Sequence, residues 1–429
     1  MRRPDRYKWW VVFMLWFVCF FNYADRQAIF SVFPVLEGEF GFDKFQLGLI
    51  GSAFSWVYAL GAPLAGFVGD RLSRKTLILG GCLFWSFVTV TTGWCQRLWQ
   101  FVAVRALEGC GETFYFPSSM SLVSDYHDRT TRSRALSLHQ SSVYVGTIAG
   151  SWLGAFFAEH YGWRVGFYFF GSAGMVLAVL LYRWLREPQR GAAEGAVADA
   201  LPPLALREVA GTVFRTPTAI LLMAVFMGVN FVAMVFLTWT PTFLVEKFAF
   251  KLTAAGLSGS VFIHLASACG SPVGGVLADR LAARIAGGRM LVQLLGLLAG
   301  SVFVFLVGTT AHVGTLLASM ALFGFCKGLY DSNIFASLYD VIEPRARATA
   351  AGIMNTAGWS GGAMGPLAVG WLAGHGRHTS EIQNISEAIA WCSALYLIGV
   401  ALLLTAIVAF ARRDLARWAG SAARKTNLR

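Results

Sequence analysis

The sequence predicts an all-α membrane protein with twelve transmembrane helices in two six-helix lobes. Three observations predict it. Of 429 residues, 56% are hydrophobic and 14% charged, whereas soluble proteins carry about a quarter charged residues. Apolar runs of bilayer-crossing length, about 20 residues, recur along the whole chain, and they are continuous rather than alternating, which excludes a β-barrel. Charged landmarks of the first half also return in the second.

The runs place spans at 9–35, 45–69, 76–95, 98–122, 135–158, 163–184, 217–240, 254–278, 289–310, 313–337, 347–373 and 388–411. The first is too long for a signal-peptide core and contains Asp25-Arg26 with no cleavage site, so it stays as helix 1. Basic residues orient the rest. Twenty-six of the 35 Lys and Arg fall at the two termini, in the central loop and in the loops after even-numbered spans. Six fall on the other side, and Arg26, Arg105 and Lys327 lie within spans. Both termini are therefore expected in the cytoplasm, which agrees with an even number of spans. The net charge of +12 follows this pattern and does not indicate nucleic-acid binding.

Residues 1–186 are read as an N-terminal lobe and 216–411 as a C-terminal lobe. Between them, 187–215 is rich in Gly, Ala and Pro and reads as a cytoplasmic linker, with a short surface helix over 207–215. Residues 412–429 form a basic cytoplasmic tail suited to anionic headgroups. The seven cysteines are scattered through apolar segments without metal-ligand spacing and read as small buried residues. Asn384-Ile-Ser386 fits a glycosylation sequon, a frequent chance match.

The halves echo each other. Gly66-Phe-Val-Gly-Asp70-Arg71 after span 2 returns as Gly275-Val-Leu-Ala-Asp279-Arg280 after span 8, at an offset of 209. Asp125 precedes Arg129, Arg132 and Arg134 as Asp340 precedes Arg345 and Arg347. Thirteen residues before each Asp lie Glu112 and Lys327. Parallel six-span repeats place a substrate site at the repeat interface near mid-membrane. An Asp at a helix end can pair with an Arg of a facing helix and latch one end of a bundle. Asp70, Arg71, Asp279, Arg280, Asp125 and Asp340 are the latch candidates; simple topogenic charge is the alternative.

Span 4 carries the most informative stretch, Phe101 to Pro117, with Arg105, Glu108 and Glu112 in an apolar run. A charge at mid-bilayer costs roughly 2.5–3.5 kcal/mol even on lenient scales, so such residues face a bundle interior or a wet cavity. Arg105 and Glu112, seven apart, share a helix face about 10 Å apart along its axis. A cation beside a protonatable acid suggests an anion site next to a proton site; a structural ion pair between helices is the other reading.

These motifs resemble the major facilitator superfamily. Gly66 to Lys75 matches its loop between helices 2 and 3, with Ser73 where a Gly is usual, and the second copy is shorter. Gly146-x-x-x-Gly150 and Gly362-x-x-Gly365-Pro366 resemble its Gly-rich stretches of helices 5 and 11, where small residues let helices approach closely. Tyr23-Ala-Asp25-Arg26, Arg105-x6-Glu112 and Phe116-Pro117 resemble the anion:cation symporter branch, which includes sugar-acid transporters. The same charges, with Ser124-Asp125 and Arg132-Ser-Arg134, also resemble the spinster branch of lysolipid and sphingolipid carriers. Lys327-Gly-Leu-Tyr-Asp331 departs from both. The resemblance implies alternating access of two lobes around a central site.

The expected substrate is a small organic anion, a carboxylate or sugar acid, with a lysolipid as the alternative. Arg105 and Arg26 are the expected receptors, because the guanidinium fork stays charged and pairs bidentately. Lys327 and Tyr115 are further substrate-site candidates, although Lys327 with Asp331 also reads as an internal ion pair and aromatics here pack by default. Glu112, Asp25 and Glu108 are the candidate proton carriers. Asn230, Asn333, His139 and His264 read as packing residues. No catalytic motif, nucleotide loop or repeated filter loop is present, so neither an enzyme nor a channel is expected. No cofactor or metal is expected either. The expected partners are the anionic substrate, protons and membrane lipids, with no nucleic acid, for a monomer in a bacterial inner (plasma) membrane.

Overall fold

A computed structural model describes residues 5–69, 72–128, 131–188, 206–343 and 346–416. The latch candidates Asp70 and Arg71, most of the linker (189–205) and most of the tail (417–429) lie outside the described residues. Among those described, the chain is helical with no strand.

The helices fall on the twelve spans. Span 1 is α1 (Asp5–Ser31) followed by α2 (Phe33–Phe40). Spans 2 and 3 are α3 (Lys44–Gly69) and α4 (Arg74–Thr92). Span 4 divides into α5 (Leu98–Glu112) and α6 (Tyr115–Tyr126), and α7 (Arg132–His160) and α8 (Trp163–Trp184) complete the first six. The short α9 (Leu206–Phe214) occupies the stretch expected to be a short helix, with Val209 and Val213 buried. Then come α10 (Pro217–Phe248), α11 (Leu252–Ala282) and α12 (Gly288–Thr309). Span 10 divides into α13 (Val313–Asp331) and α14 (Ile334–Val341); α15 (Arg347–His375) and α16 (Glu381–Thr405) finish the set, α16 continuing as a π-helical turn over Ala406–Phe410.

Local chemistry sets the breaks. Pro34 and Pro117 lack the N–H that an interior turn would use, and the chain kinks just before each, between α1 and α2 and between α5 and α6. Gly41, at φ 66°, closes α2 in the left-handed conformation that only glycine adopts without strain. Ser73 caps α4 by accepting from the Thr76 N–H at 3.2 Å. The Gln100 side chain accepts from the N–H groups of Gln96 and Arg97 at the start of α5.

Eight spans are apolar enough over 18 residues to cross a bilayer on composition alone. The other four are spans 1, 4, 5 and 11. Spans 1 and 4 carry Asp25, Arg26, Arg105, Glu108 and Glu112, and spans 5 and 11 carry glycine runs. Their charged and glycine-rich stretches mark helices with a face turned toward other helices.

The chain divides into two compact units. One comprises residues 1–200, 237–260 and 366–374; the other comprises 201–236, 261–365 and 375–429. In the first, α7 lies against α1 through a glycine stripe. A Cβ at Gly146 would come within 2.6 Å of the Phe20 carbonyl oxygen, one at Gly150 would strike the Ala24 backbone, and one at Gly154 would lie 2.9 Å from the Ala28 Cα. The expected Gly146-x-x-x-Gly150 contact is thus present and extends one turn further. At the end away from the basic loops, Lys44 is buried and paired with both Glu37 and Glu246, while Gln27 donates to the Leu237 carbonyl at 3.0 Å.

In the second unit, α12 packs on α13 and α16. Gly324 and Gly328 of α13 meet the α11 backbone at Ile263 and Ser267. Gly365 of α15 sits against the Phe231 carbonyl, as expected for a Gly-rich helix 11. Asn333 bonds the Gly274 carbonyl of α11, a contact between helices, whereas Asn230 bonds the Phe226 carbonyl of its own helix. Two cysteines depart from expectation. Cys110 and Cys269 are exposed on helix surfaces, while the other five are buried. Asn384 of the sequon is buried and bonds His378 through both its amide N and O.

Candidate functional site

All five ionisable residues expected in helices 1 and 4 are buried in the first unit. The glycine stripe of α7 fixes the position of α1, and α1 presents Asp25 and Arg26 in its last third. α5 presents Arg105, Glu108 and Glu112 at successive near-turn spacings, so one short helix contributes three charges to one cluster.

The charges pair in two couples. Arg105 does not sit on Glu112; its Nη1 donates to Glu108 three residues on. Glu112 is taken by Arg26, whose Nε donates to Oε2 at 2.9 Å and whose Nη2 reaches the same oxygen. Arg26 Nη2 also donates to Asn22 Oδ1 at 3.2 Å. Glu108 is therefore the direct partner of Arg105. Three residues set the two charges one turn apart on the same helix face, whereas Glu112 points to the helix that carries Arg26.

Asp25 closes the cluster. Its Oδ1 accepts from the Arg26 backbone N–H at 2.7 Å. The Thr89 hydroxyl of α4 lies 3.3 Å from Asp25 Oδ2, 3.1 Å from Glu108 Oε1 and 2.9 Å from the Trp85 carbonyl. Oxygens of Asp25, Glu108 and Glu112 lie within 4.8 Å of one another. That spacing could enclose an ion, but two guanidiniums already face the acids. Three carboxylates against two guanidiniums leave one formal negative charge.

Aromatic rings wall the cluster. The Phe54 ring of α3 lies 4.3 Å from the Arg26 guanidinium carbon and 5.1 Å from that of Arg105, so one ring serves both cations. Tyr23, Tyr58 and Phe30 add further ring contacts to Arg26 and Arg105. Such contacts are worth about 2 kcal/mol each when desolvated. Arg105 Nε and Nη2, Asn22 Nδ2 and Glu112 Oε1 are buried with no hydrogen-bond partner among the described residues. Native interiors rarely leave such groups unmatched. Such atoms occur elsewhere among the described residues too, but four lie on this one cluster, two of them nitrogens of Arg105.

Tyr115 lies away from these charges. Its hydroxyl is within 2.9 Å of the Leu15 carbonyl and 3.1 Å of His139 Nε2, and its ring packs edge-on against Trp85. It belongs to the hydrophobic core, and His139 is its packing partner. Lys327 lies in the second unit, paired with Asp331 one turn on, which matches the internal-pair reading. Sequence reasoning missed Thr89, Asn22, Phe54 and Phe30. Thr89 and Asn22 left a trace as polar residues in apolar spans; the phenylalanines left none.

The basic-loop ends of both halves hold equivalent ion pairs. Buried Arg74, at the start of α4, pairs with Asp125 and Glu187 and donates to the Ser121 hydroxyl at 3.2 Å. Arg289, at the start of α12, bridges Asp279 at 2.8 Å and Asp340 at 3.2 Å. Arg74 to Arg289 and Asp125 to Asp340 share one offset of 215 residues. The Arg thus opens the following helix; Arg280 of the Asp279-Arg280 dipeptide is exposed. Burial raises the Glu187 carboxyl, but hydrogen bonds from Ser73 and the Lys75 and Arg74 N–H groups outweigh it and hold the acid below its ordinary value.

A sequence profile of the Major Facilitator Superfamily matches residues 15–366 and 264–428. The chain is 28% identical over 402 residues to "Probable anion transporter 4, chloroplastic" of Oryza sativa subsp. japonica, covering 88% of this chain and 66% of that protein. It is 25% identical over 397 residues to "Probable galactarate/D-glucarate transporter GudP" of Escherichia coli (strain K12), covering 86% of this chain and 87% of that one. In fold it is similar to the crystal structure of a bacterial homolog of the human lysosomal transporter Spinster, inward-facing and unoccupied, at a TM-score of 0.84 and 20% identity over 96% of this chain and 99% of that one. With its helix pattern, its duplicated Asp–Arg loops and this match along nearly its whole length, the chain belongs to the major facilitator superfamily and is a membrane transporter, not an enzyme.

Proposed function

We propose that the chain is a proton-coupled carrier of a small organic anion, a carboxylate or sugar acid, working by alternating access as a monomer in a bacterial inner membrane with both termini cytoplasmic. The observation that carries this reading is Arg105, a buried guanidinium with one amine on Glu108 and two N–H groups without acceptors. A planar fork with free donors suits a carboxylate, which can accept two parallel bonds. The names of the rice and Escherichia coli relatives support an anionic substrate.

A substrate carboxylate arriving at Arg105 competes with Glu108 for the guanidinium. The displaced acid turns to Thr89 and Asp25, where a third carboxylate is already in excess. A proton bound there lets the cluster hold substrate without gathering negative charge, and its release returns Glu108 to Arg105. Arg26, held on Glu112 and against three rings, keeps the second cation fixed during this exchange. Lys327 is proposed as a further cationic substrate contact.

The test is uptake of radiolabelled D-glucarate into proteoliposomes with an acid-outside gradient. Arg105→Ala is expected to weaken D-glucarate binding at least about 30-fold, as for truncation of a buried charge partner. Arg105→Lys, which keeps the charge and loses the fork, should bind at intermediate strength. Unchanged binding by Arg105→Ala overturns the receptor role. Transport of labelled lysophosphatidylcholine with no uptake of any sugar acid overturns the substrate class.

A further inference from the structure

The basic-loop end of α1 and α8 carries a groove that the transport reading does not use. It encloses about 480 Å³ and lies wholly within the first unit, a size typical of small-ligand sites. Trp10, Phe13 and Phe17 line one wall at helical spacing, and Leu177 and Leu181 of α8 line the other. Trp10 and Phe13 are more than half exposed, so the groove opens on the outer surface of the helices.

Its polar rim is built, not incidental. The Tyr7 hydroxyl donates to the Trp184 carbonyl at 2.8 Å and accepts from the Arg186 N–H at 3.0 Å. The Arg186 guanidinium lies 5.6 Å from the Tyr7 ring. Arg183, in the last turn of α8, joins Arg186 on the lining. Two guanidiniums thus stand at the mouth of an apolar, aromatic-walled slot, on the side where basic loops concentrate.

We propose that this groove is a binding site for an anionic phospholipid of the adjoining leaflet. One acyl chain lies along Phe13, Phe17 and Leu181, and the phosphate sits between Arg183 and Arg186. Charge complementarity selects the anionic headgroup, because a Lys or Arg near the surface strengthens the attraction to anionic lipid while a zwitterion gains little. The apolar walls select a lipid over free phosphate. A tyrosine at headgroup level completes the pattern of an interfacial anchor.

The test uses the full-length detergent-purified protein and native mass spectrometry with phosphatidylglycerol, phosphatidylcholine and glycerol 3-phosphate. The site predicts one retained phosphatidylglycerol, weaker phosphatidylcholine and no retained glycerol 3-phosphate. Removing both cations in Arg183→Ala/Arg186→Ala should lower phosphatidylglycerol affinity about 30-fold and leave phosphatidylcholine unchanged. A phosphatidylglycerol with a photoreactive acyl chain, applied to the unmodified protein, should label residues 7–17 and 177–186. This second readout does not depend on the variant folding. Equal retention of the two lipids, an unchanged double variant, or labelling spread evenly over the helices would each overturn the proposal.

Discussion

Glu112→Gln tests the charge count on which coupling rests. With all acids ionised, Asp25, Glu108 and Glu112 exceed Arg26 and Arg105 by one charge, and all five are buried. An uncompensated buried charge costs several kcal/mol, so on the proposed coupling a proton enters the cluster with each substrate and leaves with it, one proton per substrate. One pH unit is worth 1.36 kcal/mol per proton. With the membrane potential clamped to zero, the unaltered carrier should therefore concentrate D-glucarate up to about tenfold per pH unit. Gln keeps the shape and an oxygen for Arg26 but removes the charge, leaving two acids against two bases. Its accumulation ratio should fall to about one, while exchange of labelled for unlabelled substrate continues. The assay is proteoliposome uptake with valinomycin and equal potassium on both sides, repeated with a sodium gradient in place of the proton gradient. Tenfold accumulation by Glu112→Gln, or accumulation driven by sodium alone, would refute the reasoning.

Three further outcomes follow from the helix ends and packing. Glu187 is held below its ordinary value of 4.5, so its clasp on Ser73 and Arg74 contributes stability above that pH and loses it as the pH falls through the lowered value. The melting difference between the unaltered protein and Glu187→Gln should be full at pH 7 and vanish in strong acid; a difference independent of pH would exclude the clasp. Gly150→Ala drives a methyl into the Ala24 backbone and should cost about 1–3 kcal/mol by thermal unfolding. Gly80→Ala, with open space around its Cβ position, should be neutral, and equal effects would show that α1 and α7 do not touch as described. Lys44→Ala leaves Glu37 and Glu246, about a third and a quarter exposed, without their buried cation. It should cost about 2 kcal/mol, less than a fully buried pair, and Lys44→Ala/Glu246→Ala should recover part of that in a double-mutant cycle.

Much of the fold was legible because lipid allows few solutions. Bilayer-length runs marked each span, and Pro34 and Pro117 lie at two of the three broken ones. No proline marks the break between α13 and α14, where Asn333 instead bonds the Leu329 and Gly274 carbonyls. The site was legible in part for the same reason. Arg105, Glu108 and Glu112 stand out in an apolar run, since nothing but a buried partner repays their cost. Who pairs with whom was not legible. Whether Arg105 reaches Glu108 or Glu112 depends on how far α5 is turned toward α1, and that rotation is set by close packing such as Gly109 against the Phe54 carbonyl. Tyr115 was misleading for the related reason that an aromatic beside a charged stretch carries no signal of which way it faces. The duplicated loops indicated paired Asp and Arg but not that Arg74 and Arg289 bond Asp125 and Asp340.

Thr89 owns a single hydrogen, yet three oxygens on two other helices and its own stand within its reach. It can give that hydrogen to only one of Asp25, Glu108 and the Trp85 carbonyl at a time. While it serves one acid, the other goes without that bond unless it carries a proton to give back, so the turn of one hydroxyl ties the protonation of α1 to that of α5. Replacing it with valine would keep the bulk and remove the hydroxyl that touches both acids.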